Sequence, residues 1–335
     1  PLAITMGEPA GVGGELVLAA WLKRNEISAP PFFLIDDPDR VRGLAKVLGL
    51  GVEVETVVSA GEAVAIFAER LPVLALENKV SSVAGTPDPA NSAAVVRSVR
   101  QAVDLALDGR ASGIVTNPIH KETLIKAGFE HPGHTEYLAQ IMNAVPVMML
   151  ASPGLRVVSV TTHVALREVA GQLTKEKIVA TGRVVASALI TDFGMTEPRL
   201  AVAALNPHGG EGGVFGEEEE RIIAPAVRAL VADGILATGP HPADSLFRAE
   251  ARGDYDAVMC MYHDQALIPL KALDFEHGVN VTLGLPIVRT SPDHGTALAL
   301  AGTGRANENG LLAALATAHE IAVNRSAGKL KAKSS

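Results

Sequence analysis

The chain of 335 residues is 48% hydrophobic, which provides enough apolar side chain for a large core and for two lobes of ordinary domain size. Its 37 acidic and 29 basic residues give a net charge of −8, which argues against a nucleic-acid-binding face or a basic membrane anchor. The single cysteine, Cys260, excludes an intrachain disulfide and fits a cytoplasmic protein, and no apolar run reaches the roughly 18 residues of a membrane-spanning helix.

The first element is an apolar run at 2–6, followed by the glycine-rich segment GEPAGVGGE and a helical pattern at 15–24. Dinucleotide-binding folds hold their cofactor at such a turn, and Asp36 ends the next apolar run at the position of a ribose-binding acid. The glycine spacing fails, because a G-x-G-x-x-G reading from Gly11 requires glycine where Leu16 stands. We interpret the segment as a tight turn between a strand and a helix.

Short apolar runs then alternate with helical patterns along the chain. The predicted strands cover 32–35, 71–76, 113–116, 145–150, 157–162, 200–205 and 257–261, and the predicted helices cover 92–107, 121–126, 175–190, 217–231 and 308–322. Pro153 and Gly154 mark a turn between two of these runs, so they are predicted to form a hairpin in a mixed sheet. Alternation of this kind is typical of α/β folds with largely parallel strands.

Three histidines stand at the same point of three apolar runs, where the run ends. His163 ends VVSVTTH, His208 follows LAVAALNP, and His263 ends AVMCMYH. The carboxyl ends of strands form the edge at which open α/β sheets bind ligands, and three imidazoles with one open position are typical of a catalytic metal site. Each histidine can equally cap or pack locally, and no short motif such as H-E-x-x-H is present. The shared position favours a metal site.

Several other side chains are suited to binding an anion. His134 and Thr135 stand directly before a helical pattern, where Thr135 is a reasonable N-cap and the first amides favour an anion. Lys271, Asn280 and Arg289 follow the last metal-type histidine, and the sequence around Arg289 is strand-like and apolar, unlike that of a surface charge. These five residues are candidates for a substrate site.

Two acidic residues and a glycine-rich segment have more than one interpretation. Asp244 and Asp264 could balance the charge of a metal, serve as a base, orient a histidine, or cap a helix. The segment 209–213, GGEGG, is flexible enough for a lid and equally for a simple turn.

Six motifs resemble the PdxA family of 4-hydroxythreonine-4-phosphate dehydrogenases. They fall in order from Gly7 to Asn307 and are GEPAGVGGE, PGHTEYLA, VTTHVAL, LNPHGGEGGVFGEEE, MYHDQALIPLK and VNVTLGLPIVRTSPDHGTALALAGTGRAN. Two positions depart from the family pattern, which more often has Asp where Glu8 stands and Pro where Gly14 stands. We expect these two departures to affect little beyond the stiffness of the loop.

The resemblance implies NAD-dependent oxidation of 4-phosphooxy-L-threonine and decarboxylation to 3-amino-2-oxopropyl phosphate, a step of pyridoxal 5'-phosphate biosynthesis. Alternatives on the same scaffold are dehydrogenases of a 4-phospho-D-threonate or erythronate, whose substrates lack the amino group. A dehydrogenase of aromatic dihydrodiols is disfavoured, because His134, Thr135 and the basic residues favour a phosphate. Two further classes use no hydride transfer, namely a metal-dependent lyase or hydrolase of a phosphorylated compound and a non-catalytic phosphometabolite-binding protein.

The resemblance also implies the roles of individual residues. It assigns a divalent metal, Zn, Mg or Co, to His163, His208 and His263. It assigns substrate contacts to His134, Thr135, Lys271, Asn280 and Arg289, with Asp244 and Asp264 nearby. The loop at 294–307 is similar to the adenosine-binding loop of isocitrate and isopropylmalate dehydrogenases, so NAD or NADP is expected at His294, Gly295 and Asn307.

The fold implied by the resemblance has two α/β/α lobes with a cleft between them, as in isocitrate and isopropylmalate dehydrogenases. We expect a cofactor-side lobe at 1–130 plus 265–335 and a second lobe at 131–264 with the metal ligands and the dimer contacts. The family forms homodimers in which both chains build each site.

Overall fold

The computed structural model describes residues 1–26, 28–131 and 133–334, and it contains two compact units. Unit 1 comprises Pro1–Ala144 and Leu285–Val323, and unit 2 comprises Val145–Gly284 and the chain from Asn324 onward. The lobes expected at 1–130 plus 265–335 and at 131–264 have different boundaries from these units. The helix at His134–Met142 packs in the core of unit 1. The helix at His263–Leu273 packs in the core of unit 2, and the strand at Val279–Leu283 pairs with another strand of that unit.

The regular elements are numbered here in chain order. The strands are β1 (Leu2–Thr5), β2 (Phe32–Asp36), β3 (Val54–Val57), β4 (Leu71–Ala75), β5 (Gly113–Val115), β6 (Val147–Ser152), β7 (Leu155–Thr161), β8 (Arg199–Ala203), β9 (Leu236–His241), β10 (Ala257–Tyr262), β11 (Val279–Leu283) and β12 (Arg289–Pro292). The helices are α1 (Gly13–Leu22), α2 (Pro38–Val47), α3 (Ala60–Ile66), α4 (Ser92–Leu107), α5 (Lys121–Lys126), α6 (His134–Met142), α7 (Val169–Gln172), α8 (Lys175–Thr191), α9 (Ala224–Ala232), α10 (Ala243–Leu246), α11 (His263–Leu273) and α12 (Asn309–Ser334).

Unit 1 contains a parallel sheet in the order β3-β4-β2-β1-β5-β12. Strand β2, FFLID, is buried at every position, as expected for a parallel strand covered on both faces. Helix α4 buries Val95, Val99, Ala102 and Val103 against this sheet, and their spacing places them on one face of the helix. Because β1 and β5 are parallel neighbours, their carboxyl ends meet at the same edge of the sheet, where the chain continues into polar turns.

Unit 2 contains a mixed sheet in the order β11-β6-β7-β10-β8-β9. Strands β6 and β7 form the predicted hairpin, β11 is antiparallel to β6, and β7, β10, β8 and β9 run parallel. The predicted α/β class and the mixed sheet are thus confirmed. Cys260 is fully buried in the core of this unit, where burial raises the pKa of its thiol and leaves it as a small apolar side chain. Among the described residues, no helix is both long and apolar enough to cross a bilayer.

Candidate active site

Two of the three candidate metal ligands lie together at one end of neighbouring strands. Thr161 at the end of β7 is in register with Tyr262 at the end of β10, so His163 and His263 leave the sheet at the same edge. Their ring centroids lie 5.8 Å apart. Both rings line a cavity of about 220 Å³, together with the residues Thr161, Val164, Leu166, Val169, Tyr262 and Asp264.

The His263 ring is held by the next residue along the chain. Its Nδ1 lies 2.7 Å from Asp264 Oδ1, so an Nδ1–H donates to the carboxylate and the lone pair is on Nε2. Metal-bound histidines have this arrangement, in which a carboxylate fixes the tautomer and orients the ring. Of the roles open to Asp264, orienting a histidine is the one that the geometry supports.

His208 is not placed beside the other two histidines. It belongs to the segment Pro207–Gly213, here called the His208 turn, in which His208 to Gly212 all have left-handed backbone angles. His208 has φ 52° and Glu211 has φ 44°, a region that costs a residue with a Cβ about 1–2 kcal/mol. The His208 side chain is exposed, with its ring centroid 6.1 Å from that of Phe215.

Two of the three residues expected to bind a divalent metal are therefore close together, and the third is not. Across 1–26, 28–131 and 133–334, no group of three His, Cys, Asp or Glu side chains is arranged to hold a metal ion. Two imidazoles face one cavity, and one of them has the carboxylate partner typical of a metal ligand. The metal assignment to His163, His208 and His263 thus stays a prediction, with two of its three residues adjacent.

The other candidate residues of unit 2 are on α11, β11 and α10. Lys271 is on α11, two turns after His263, and its Nζ lies 5.7 Å from the centroid of the Phe275 ring. Asn280 is on β11 and has a buried Oδ1 for which the described residues supply no hydrogen-bond partner. Asp244 is exposed on the short helix α10, directly after Pro242, which neighbours Gly209 of the His208 turn.

Unit 1 brings a second group of candidates together. Arg289, at the start of β12, is only 4% exposed, and its Nε and Nη2 donate to Thr116 Oγ1 at 3.2 and 2.7 Å. Burial lowers the pKa of Arg289 to about 10, although the Glu136 carboxylate opposes this. The guanidinium has lost much of its water and is suited to a strong charge-assisted contact with an anion.

His134 is the first residue of α6. The predicted N-cap at Thr135 is wrong: the N-cap is Gly133, two residues earlier, which makes no side-chain hydrogen bond, and the helix begins at His134. Thr135 is therefore inside the first turn, where its amide is one of the free helix donors. A Cβ on Gly133 would lie only 3.1 Å from Glu136 Oε2 and 3.4 Å from Lys121 Nζ, so a small residue suits this close approach.

Burial and neighbouring charge keep the His134 ring neutral. Its Nε2 is buried without a hydrogen-bond partner among the described residues, and burial, with the charges of Arg289 and Lys121, lowers its pKa to about 3. Lys121 thus belongs to this group, although the sequence reasoning missed it. The available signal was its position a few residues after the carboxyl end of β5, the kind of position that singled out the histidines.

We expect His134 to stay neutral from pH 8 to pH 4.5 in the ligand-free protein. Because the unfolded chain would bind a proton below pH 6.5 and the folded chain does not, this residue lowers the free energy of unfolding as the pH falls from 6.5 towards 3, by up to about 1.4 kcal/mol per pH unit. NMR of histidine-labelled protein measures the titration, and His134→Gln identifies the resonance. A titration midpoint near pH 6.5 would contradict the burial of Nε2.

The two rival positions for a dinucleotide are neighbours in unit 1. The amide of Val12 donates to Thr296 O at 3.0 Å, and Gly302 N donates to Glu15 Oε2 at 2.8 Å, so the loop at 294–307 lies against the first turn. A Cβ on Gly11 would lie 2.8 Å from Thr296 O. Gly11 is therefore required by this close backbone approach, which explains a glycine there without a phosphate-binding pattern.

The Asp36 carboxylate already has its hydrogen-bond partners within the protein. It is fully buried, accepts hydrogen bonds from Asp37 N at 2.7 Å and Arg40 Nε at 2.9 Å, and forms an ion pair with Arg40. In the loop at 294–307, by contrast, His294 Nε2 is a buried atom with no hydrogen-bond partner among the described residues. Asn307 Oδ1 accepts from Asn309 N at 2.9 Å at the start of α12.

Comparison with known proteins gives consistent results. The family model described as pyridoxal phosphate biosynthetic protein PdxA matches residues 28–318. A 4-hydroxythreonine-4-phosphate dehydrogenase of Bradyrhizobium diazoefficiens is 52% identical over 334 residues, which cover 96% of this chain and 97% of that protein. A crystal structure of the Klebsiella pneumoniae 4-hydroxythreonine-4-phosphate dehydrogenase aligns with TM-score 0.85 and 36% identity over 96% of this chain and 99% of that one. A β-decarboxylating dehydrogenase of Thermococcus kodakarensis shares the fold alone, with TM-score 0.50 and 12% identity over 95% of this chain and 81% of that one.

Proposed function

The chain belongs to the PdxA family of pyridoxal phosphate biosynthetic proteins and is a dehydrogenase, and we propose that it oxidises 4-phosphooxy-L-threonine with NAD. The product then loses carbon dioxide and becomes 3-amino-2-oxopropyl phosphate. The observation in the structure that carries this proposal is the pair of His163 and His263 beside one cavity, with Asp264 on the far nitrogen of His263. This arrangement is suited to a metal-assisted reaction of a hydroxyl group.

We assign a divalent metal, Zn, Mg or Co, to His163, His208 and His263. When bound, such an ion lowers the pKa of the substrate hydroxyl and polarises the ketone that is formed. Asp264 accepts the Nδ1 proton of His263 and so keeps the Nε2 lone pair available for a ligand bond. Asp244, on the exposed helix next to the His208 turn, is assigned to the surroundings of this site.

Contacts with the anionic ends of the substrate are assigned, as the resemblance implies, to the polar residues described above. Arg289 is a buried cation, and the first amides of α6, at His134 and Thr135, have no partner within the helix. The neutral His134 ring can donate one hydrogen bond from Nε2 without adding a second positive charge. Lys271 and Asn280 supply a further cation and an amide. Such contacts fix the orientation of the substrate, so that the carbon–hydrogen bond to be broken faces the acceptor of the hydride.

The nicotinamide cofactor is assigned to the loop at 294–307, with His294, Gly295 and Asn307 as contacts. When bound, its nicotinamide ring accepts the hydride, and NAD and NADP both supply this chemistry. The buried, unpartnered Nε2 of His294 is the observation on this loop that favours a bound ligand.

An assay at 340 nm tests the proposal. The purified protein with NAD, each metal and 4-phosphooxy-L-threonine is expected to form NADH, with 3-amino-2-oxopropyl phosphate and carbon dioxide as products. Parallel reactions contain 4-phospho-D-threonate and 4-phospho-D-erythronate, and product analysis without NAD detects a metal-dependent lyase. Turnover of a threonate or erythronate in preference to the threonine compound would replace the proposed substrate, and turnover without NAD would remove the dehydrogenase mechanism.

We expect NAD affinity to depend on Asn307 and to be independent of Asp36. Asn307→Ala removes an amide from the assigned cofactor loop. Asp36→Asn instead changes a carboxylate that already accepts a hydrogen bond from Arg40. The Asp36 variant should instead unfold at a lower temperature, because it leaves a buried cation without its partner. Calorimetric titration with NAD and a thermal melt separate the two effects. Lost NAD affinity in the Asp36 variant with full affinity in the Asn307 variant would place the cofactor on the first turn.

The homodimer of the family is proposed for this chain as well. Large apolar side chains on and after α11 are exposed in unit 2, among them Ile268 at 64% and Phe275 at 73%. Leu273, at 48%, is exposed between them, and several exposed apolar side chains in one short segment mark a contact surface, unlike a lone exposed valine. Phe275→Glu is expected to shift the protein from dimer to monomer in light scattering, and Val58→Glu, at an exposed valine in unit 1, is the control. A wild-type monomer at micromolar concentration would contradict the proposal.

A further inference from the structure

The first turn of α6 has a lysine beside it, Lys121, which is the first residue of α5. A Cβ on Gly133, the N-cap of α6, would lie 3.3 Å from Lys121 Cε and 3.4 Å from its Nζ, so the end of the lysine side chain reaches this turn. The amides of His134 and Thr135 have no partner within the helix. The ammonium group therefore lies close to free backbone donors, and all of these residues belong to unit 1.

A second cation and a neutral imidazole belong to the same part of unit 1. Arg289 is 4% exposed and donates to Thr116 Oγ1, whereas Lys121 is exposed. Burial, and then the charges of Arg289 and Lys121, lower the pKa of His134 to about 3, so both cations lie near a ring that stays neutral. Its buried Nε2 has no hydrogen-bond partner among the described residues, and it can donate one bond when it carries the ring proton.

The ammonium group of Lys121 is available for a ligand. Lys126, on the same helix, has its Nζ 2.6 Å from Glu122 Oε1. Lys121, by contrast, forms no ion pair with a carboxylate of the residues that the structure describes. The nearest carboxylate to note is that of Glu136, whose Oε2 would lie 3.1 Å from the same Cβ on Gly133 and which partly offsets the positive charge of this turn.

The number and type of these groups match a phosphate better than a carboxylate. A phosphate monoester carries a charge of about −2 at neutral pH and has three acceptor oxygens. A carboxylate has a single charge and two oxygens. Two cations balance a dianion, and the guanidinium, ammonium, imidazole and amide groups supply a partner for each oxygen of a phosphate.

We propose that Lys121 is a specificity-determining residue that binds the phosphate of the substrate, together with Arg289 and the first turn of α6. The inference deepens the proposed function and rests on it, because it assumes a phosphorylated substrate. It places the phosphate at this turn and excludes the carboxylate from it. A substrate without a phosphate gains nothing from Lys121, so this lysine favours phosphorylated compounds over their unphosphorylated analogues.

The test is the binding of inorganic phosphate to the purified full chain without cofactor, followed by NMR of the His134 ring. Lys121→Met removes the charge and keeps the length of the side chain, and it should raise the Kd for phosphate about fivefold to tenfold. This effect is smaller than that expected for Arg289, because water and salt screen an exposed charge. Lys126→Met is the matched control, since it removes the same charge from the same helix and should leave Kd unchanged.

Three outcomes of this titration would overturn the proposal. They are an unchanged Kd in Lys121→Met, an equal rise of Kd in Lys126→Met, and a His134 ring that does not respond to phosphate in the wild type. Glu136→Gln gives a result of opposite sign, because it removes the negative charge that opposes an anion at this turn. We expect it to lower the Kd about twofold to fivefold. A rise in this variant would place the anion elsewhere.

Turnover of two substrates separates this inference from the proposed function. Lys121→Met should lower kcat/KM about fivefold to tenfold for 4-phosphooxy-L-threonine and leave it unchanged for 4-hydroxy-L-threonine, which has the carboxylate but no phosphate. Equal losses on both compounds, or a loss of NAD affinity in calorimetry, would place Lys121 at another group and overturn the inference. If the wild type forms no NADH from the phosphorylated compound, the proposed function fails, while the phosphate titration still decides whether Lys121 binds phosphate.

Discussion

Replacing His208 with alanine is expected to strip most of the bound metal and to lower turnover about a thousandfold or more, while the chain stays folded. The side chain is exposed, so its removal opens no cavity in the core. The reaction loses a metal contribution of several kcal/mol, which corresponds to that change in rate. Elemental analysis of the purified protein measures the metal, and the assay at 340 nm measures turnover.

Two further variants separate the loss of a ligand from a change of the backbone. His208→Asn removes the imidazole but keeps a residue that tolerates the left-handed angles, and it should lose metal as the alanine variant does. His319→Ala removes an exposed histidine of α12 and should retain full metal content. If the metal content of both His208 variants equals that of the wild type, the three-histidine assignment is wrong.

Arg289→Ala is expected to raise the KM for the phosphorylated substrate about tenfold to hundredfold and to leave NAD affinity nearly intact. A buried charge-assisted contact contributes roughly 1.5–3 kcal/mol, which corresponds to this change. The guanidinium is buried against Thr116, so its position is fixed before the substrate arrives. Steady-state kinetics gives KM and kcat, and calorimetry gives NAD affinity.

Thr116→Val and Lys271→Ala complete this experiment. Valine at 116 removes the hydroxyl that accepts from Arg289 Nε and Nη2, so it should raise KM less than the loss of Arg289 itself. Lys271→Ala should raise KM as Arg289→Ala does, because both are assigned to the anionic ends of the substrate. Unchanged kinetics in the Arg289 and Lys271 variants would remove both residues from the site.

The sequence predicts that His163 and His263 lie at the carboxyl ends of strands, and the structure adds that these two strands are neighbours. Both follow apolar runs, and the carboxyl ends of parallel strands share one edge of a sheet, but the order of the strands is known only from the structure. His208 follows a strand in the same way, yet its location was not predictable. It depends on left-handed backbone angles, which produce no hydrophobic pattern.

Other features depended on contacts between segments that are distant in the chain. The first turn and the loop at 294–307 looked like alternatives, but the Val12 amide bonds to Thr296 and makes them one surface. Threonine favours the N-cap position, which predicts Thr135 there, whereas the N-cap is Gly133 and the helix begins at His134. The expected lobe boundaries differ from those of the two units because α11 directly follows β10 and packs with it, which apolar runs alone do not reveal.

The discontinuity of unit 1 has a consequence for the order in which the chain folds during synthesis. Residues 145–284, most of unit 2, are made and can fold while unit 1 still lacks β12. Strand β12 pairs with β5, and β5 lacks this partner until the ribosome has made nearly the whole chain. The long sequence separation of this pairing makes it a slow step. A nascent chain that stops before residue 289 therefore carries an open strand edge and lacks the Arg289 side chain.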